Sequence, residues 1–133
     1  KMERSGFETP LLFEERRRLI MEEKNKEVIR KFYQEFFNDH IVESADQYVK
    51  EDYIQHNPGV EQGREGLKTA FAQKFAEHPE FCLNIQMMIA EKDMVTVYLK
   101  NVAPDGTTRC RVVDIYRLED GKLAEHWDVL QPC

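Results

Sequence analysis

Three residues in the last fifth of the chain, Asp114, His126 and Asp128, have the types and spacing that could do chemistry. Two carboxyl groups beside an imidazole can take a proton from carbon next to a carbonyl and return one to oxygen. The requirement is a shared wall sheltered from water. A carboxyl group in an apolar hollow resists ionisation, with its pKa rising to about 6 in favourable cases. Two close carboxylates titrate as a coupled pair, and histidine exchanges protons near neutrality.

Whether the three share a wall depends on one hairpin. Residues 107–118 and 123–130 are rich in β-formers and flank Glu119-Asp120-Gly121. A two-residue turn at Asp120-Gly121 would pair Asp114 with Trp127. A three-residue loop, Glu119-Asp120-Gly121, would pair Asp114 with His126 and set Val112 opposite Asp128. The second puts Asp114, His126 and Asp128 on one face and sends Glu125, Trp127 and Val129 to the other. It is preferred, because the loop needs a left-handed residue and Gly121 supplies it. Upstream, His56 and Asn57 sit beside the Pro58-Gly59 turn signal. Asn57 there commonly bonds its own backbone. His56 is a candidate for the pocket mouth.

The elements that must position these residues come in two blocks. Residues 13–38 carry one apolar helical face at Ile29, Phe32, Tyr33, Phe36 and Phe37, preceded by a charged stretch at 14–24. Residues 1–12 read as a loose arm. A second helix is expected over 42–50, with Ser44 as an alternative cap. A break follows at 53–59, then a third helix over 64–77 facing inward with Leu67, Ala70, Phe71 and Phe75 and stopped by Pro79. Beyond Pro79 the period changes to two. Strands are expected over 81–90, 94–102, 107–118 and 123–130. Helices first and an antiparallel meander second imply an α+β domain of about four strands, with three N-terminal helices on one face.

The stretch Tyr-Ile-Gln-His-Asn-Pro-Gly at 53–59 and the closing run 112–131, with its Glu125-His126-Trp127-Asp128, resemble the SnoaL-like polyketide cyclase family of the nuclear transport factor 2-like superfamily. The resemblance spans residues 26–131, so residues 1–25 form an arm and helix extension and 26–133 the family domain. It implies a curved sheet wrapped around helices as a cone with an internal pocket, and a homodimer through the outer sheet face. It also implies an acid/base aspartate on the last strand, a position held here by Asp128, with Asp114 at the assisting position on the preceding strand. Many relatives carry a His-x-His pair on the second strand, where this chain has Tyr98 and Lys100. Tyr98 is accordingly a candidate hydrogen-bond donor to substrate. Trp127 is counted with the substrate contacts, although the preferred register sends it to the outer face.

The remaining chemistry is bounded by what the 133 residues lack. A net charge of −6 argues against a phosphate-binding surface and hence against nucleic acid. No apolar run approaches membrane-spanning length. The N-terminal residues are charged, without a signal core, and Cys82, Cys110 and Cys133 fit neither a disulfide framework nor a CxxC site, so a cytoplasmic location is expected. No nucleophile stands beside a base, and no phosphate loop or dinucleotide motif occurs. His56, His126, Asp114 and Asp128 offer metal-ligand atoms, but without a tight motif neither a metal nor a cofactor is expected. The reading is an acid/base enzyme on a small apolar carbonyl compound, of the aldol cyclase, isomerase or dehydratase type. Asp128, Asp114 and His126 would be catalytic, and His56, Asn57, Tyr98 and Trp127 would bind substrate. The alternative is a non-catalytic ligand-binding or dimeric interaction module on the same fold.

Overall fold

The computed structural model describes residues 9–133; the part of the expected arm at residues 1–8 lies outside the described residues. Helix α1 spans Pro10–Phe32. It starts where Thr9 accepts the Leu12 amide at 3.1 Å and Pro10 supplies a preset φ. The last residues of the expected arm, 10–12, are therefore helical. The helix continues as a π-helical segment, Tyr33–Asn38, whose wider turn brings Tyr33, Phe36 and Phe37 into the core together. A 3₁₀ turn, Val42–Ser44, leads into the single helical turn α2, Ala45–Tyr48. Ser44 does not cap that turn; its hydroxyl donates to the Ile41 carbonyl at 2.7 Å. Helix α3 spans Gly63–Glu77, as the Pro79 signal leads one to expect.

The sheet has five strands, one more than expected: β1 (Val49–Gln55), β2 (Leu83–Glu91), β3 (Met94–Val102), β4 (Thr108–Glu119) and β5 (Lys122–Pro132). Their order is β1-β5-β4-β3-β2, and β1 runs parallel to β5, so the sheet is mixed. The helix expected over 42–50 thus gives way at Val49, and the strand runs through the stretch read as a break, up to Gln55. Its middle is Lys50-Glu51-Asp52, exposed or half-buried at the sheet edge, where charge blunts unwanted pairing. That charge hides the strand from a pattern search.

The helices cover one face of the curved sheet. Ile29, Phe32 and Phe36 pack toward Val95, Val97 and Leu99 of β3, and Phe32 stacks on Phe36 at 5.0 Å. Two bulges set which side chains face this layer. In β2 the register slips between Ile85 and Met87. Leu83 faces the core, but beyond the slip Met88 and Ala90 pack inward while Met87 and Ile89 are exposed.

In the β4–β5 hairpin, Glu119 pairs with Lys122, so the turn is the two-residue Asp120-Gly121, both at positive φ (50° and 76°). This corrects the three-residue loop. One extra residue, Ala124, then stands between Leu118–Leu123 and Arg117–Glu125, and the register beyond sets Asp114 directly opposite Asp128. The bulge restores the side-chain parity of the preferred reading by another route.

The loop before α3 is tightly packed. A Cβ built on Gly66 would lie 2.5 Å from the Glu61 carbonyl oxygen. Gly66→Ala gains about 1 kcal/mol of helix propensity but drives that Cβ into backbone, which costs about 1–3 kcal/mol. The expected result is a net loss of stability, read as a lower urea midpoint with an unchanged slope; an unchanged or raised midpoint would contradict it.

Candidate functional site

The helix-covered face of the sheet encloses a cavity of about 180 Å³. Its apolar wall comes from the π-helical segment, α3, the connection that follows it and the strands, with Phe37, Leu67, Phe71, Phe81, Leu99 and Val112. Its polar end is made by Asp114, His126 and Asp128 with Tyr53, Gln55, Asn57 and Tyr116. Strand pairing sets Tyr116 opposite His126 and Asp114 opposite Asp128, while Gln55 on β1 pairs with His126 across the parallel junction. The edge strand missed in the sequence therefore completes the site.

These groups form one hydrogen-bond network. Asp114 Oδ1 faces His126 Nε2 at 2.8 Å, and Asp114 Oδ2 accepts from the Tyr33 hydroxyl, which stands 2.9 Å from the Tyr116 hydroxyl. His126 Nδ1 lies 2.7 Å from Gln55 Oε1. The Asn57 amide donates to that same Oε1 at 3.0 Å, which identifies it as the oxygen end of the amide. Gln55 is itself clamped: its N–H donates to Gln62 Oε1 at 2.9 Å, and Gln62 Nε2 donates to its carbonyl at 2.6 Å. Both ring nitrogens of His126 are thus engaged by oxygens. A ligand that reached the ring would have to displace Asp114 or Gln55 from it.

Asp128 is different. Asn57 Nδ2 donates to its Oδ2 at 3.0 Å, and among the described residues this is its one hydrogen bond. Asn57 is held in turn by accepting the Gly59 amide at 2.8 Å, the local bond expected of its turn position. Burial holds Tyr33, Tyr53 and Tyr116 well above the usual tyrosine range, and the Asp114 charge adds to it, so all three stay neutral hydroxyls. The Tyr53 hydroxyl is thus a neutral donor on the cavity wall.

His56, Tyr98 and Trp127 do not line the cavity, which corrects the expected placement of His56 and Tyr98 and leaves Trp127 on the outer face to which the preferred register sends it. His56 stacks on Trp127 at 4.8 Å and bonds Glu125 at 2.8 Å on the opposite side of β5. Tyr98 pairs with Val113; its neighbour Val97, paired with Asp114, takes the inward position. Asn57 does line it. Gln55, Tyr33, Tyr53 and Tyr116 were missed. In the sequence Tyr33 is one more aromatic of a core stripe, although a buried tyrosine hydroxyl needs a partner. Ligand atoms of Asp114, His126 and Asp128 all lie within 4.8 Å of one another, a spacing that could hold a metal. An ion on His126 would have to displace Asp114 or Gln55 from the ring.

A model of the SnoaL-like polyketide cyclase family matches residues 27–132. The chain belongs to this family. The SnoaL-like fold is equally plain among solved structures. A proposed polyketide cyclase from Bacillus cereus is 26% identical with a TM-score of 0.70, over 80% of this chain and 74% of that one. One from Acidithiobacillus ferrooxidans is 22% identical with a TM-score of 0.70, over 80% and 87%. TsrD from Streptomyces laurentii is 23% identical with a TM-score of 0.67, over 80% and 87%. No curated protein matches significantly. Among the described residues of this SnoaL-like chain, no helix is long and apolar enough to cross a membrane.

Proposed function

We propose that this SnoaL-like protein catalyses cofactor-independent proton transfer at carbon next to a carbonyl, on a small and mostly apolar compound. The observation that carries the reading is the convergence of Asp114, His126 and Asp128 at one end of a cavity with apolar walls. Asp128 is the base. Asn57 holds one of its oxygens, and the carboxylate takes the α-proton while the C–H electron pair moves into a carbon–carbon double bond. The carbonyl oxygen gains the charge and accepts a hydrogen bond from Tyr53, kept neutral by burial. The Asp114–His126 pair holds the polar end in place. Return of the proton at another atom gives isomerisation; attack of the enolate on a second carbonyl gives aldol cyclisation.

The cavity sets a size. The cavity of about 180 Å³ compares with apolar cavities of about 150 Å³ that hold benzene. A single-ring ketone fits. The test is deuterium incorporation into the α positions of cyclohexanone in D₂O near neutrality, followed by NMR. The protein is expected to raise the rate well above buffer. No acceleration with cyclohexanone or small acyclic ketones would refute the proposal and favour a binding module.

A further inference from the structure

The cavity has a second end. Its rim carries Lys74 from the last turn of α3, together with Cys110 and the exposed Leu130. We propose that Lys74 makes this a site for keto acids, with the reacting carbonyl at the carboxylate end and the substrate's own anionic group at the rim. The assignment of the ends rests on the acid/base reading above; the charge preference does not.

Three observations converge on it. Lys74 is the one cationic side chain on the cavity wall, and among the described residues it has no carboxylate partner. Most cations elsewhere on α3 and the sheet are paired: Lys68 with Asp46, Arg117 with Glu125, Arg109 with Glu80. Its ammonium sits 5.8 Å from the centre of the Phe81 ring, itself part of the wall, which holds the charge over the opening. Its charge also reaches the Cys110 thiol, opposing the upward push of burial there.

The opposite end fixes the orientation. Two carboxyl groups, Asp114 and Asp128, stand at the inner end, and an anion placed beside them would meet like charge in a partly dry site. A substrate anion is tolerated only at the rim. Cys110 lies four residues along β4 from Asp114, ~13 Å at about 3.3 Å per residue. After allowing for side chains at both ends, the fitting ligand has a carbonyl and a carboxylate separated by several bonds rather than adjacent.

The probes are 6-oxoheptanoate and its neutral methyl ester, bound to the full chain and followed by NMR titration at low salt. The acid is expected to bind about fivefold more tightly than the ester, with the preference shrinking as salt rises. Lys74→Gln should abolish the preference and leave the ester's affinity unchanged; Lys74→Glu should invert it. Lys74 is exposed, so these variants should fold. Equal affinities on the natural protein, a preference that survives Lys74→Gln, or no binding of either probe would overturn the proposal. Cyclohexanone exchange reports the acid/base reading separately, because that ketone has no anion for Lys74 to hold.

Discussion

Asp128→Asn should lower the rate of deuterium incorporation into a bound ketone by about 10²- to 10⁴-fold, the usual contribution of a positioned proton acceptor. The substitution is close to isosteric. The new side chain keeps an oxygen that can accept the Asn57 amide bond now made to Asp128 Oδ2, so the loop carrying Asn57 keeps its anchor. What is lost is the lone pair that receives the proton. Thermal stability and ketone binding should change little, which separates this outcome from a folding defect. A variant that exchanges as fast as the natural protein would remove Asp128 from the chemistry. Equal binding with no exchange in either protein would leave a ligand-binding module.

Asp114→Ala should cost far more stability, about 2–4 kcal/mol, as expected when a buried carboxyl group that serves two buried polar partners is removed. Asp114 accepts from Tyr33 on one oxygen and faces His126 on the other, and all three side chains are buried. Alanine removes the carboxylate oxygens that face Tyr33 and His126 Nε2, leaving Tyr33 only the Tyr116 hydroxyl, and each buried group left unsatisfied carries a desolvation cost of about 1–3 kcal/mol. The melting temperature should fall by on the order of 10 °C. Asp114→Asn should lose less, since its amide oxygen can still accept one of the two bonds and Tyr33 can turn toward Tyr116, 2.9 Å away. A loss for Asp114→Ala no larger than that of a surface change would show that the network does not hold the polar end together.

The parts of this molecule legible in the sequence are those with strong local period. The apolar face at Ile29, Phe32 and Phe36, the Pro79 stop and the four antiparallel strands are all encoded within a few residues of themselves. Strand β1 is not. Its Lys50-Glu51-Asp52 centre lacks alternation, and its place depends on parallel pairing with β5 from about seventy residues later in the chain. The acidic pair was legible as a shared face, but the route to it was not. Asp120-Gly121 closes a two-residue turn and the Ala124 bulge then shifts the register, and no local signal announces that bulge. Gln55 lay inside the quoted 53–59 stretch, yet its part in holding His126 needed the missing strand. Tyr98 and Trp127 fell outside the cavity because neighbouring residues of a strand face opposite ways, and their inward neighbours are Val97, His126 and Asp128.

A crystal structure of the full chain soaked with cyclohexanone bears most directly on the claim that the acidic end of the cavity faces a reacting carbon. The ring should lie against the apolar wall, its α carbon within about 3.5 Å of an Asp128 oxygen and its carbonyl toward the Tyr53 hydroxyl. A ring held only at the rim or on the outer face of the sheet, with Asp128 turned away from it, would contradict the account.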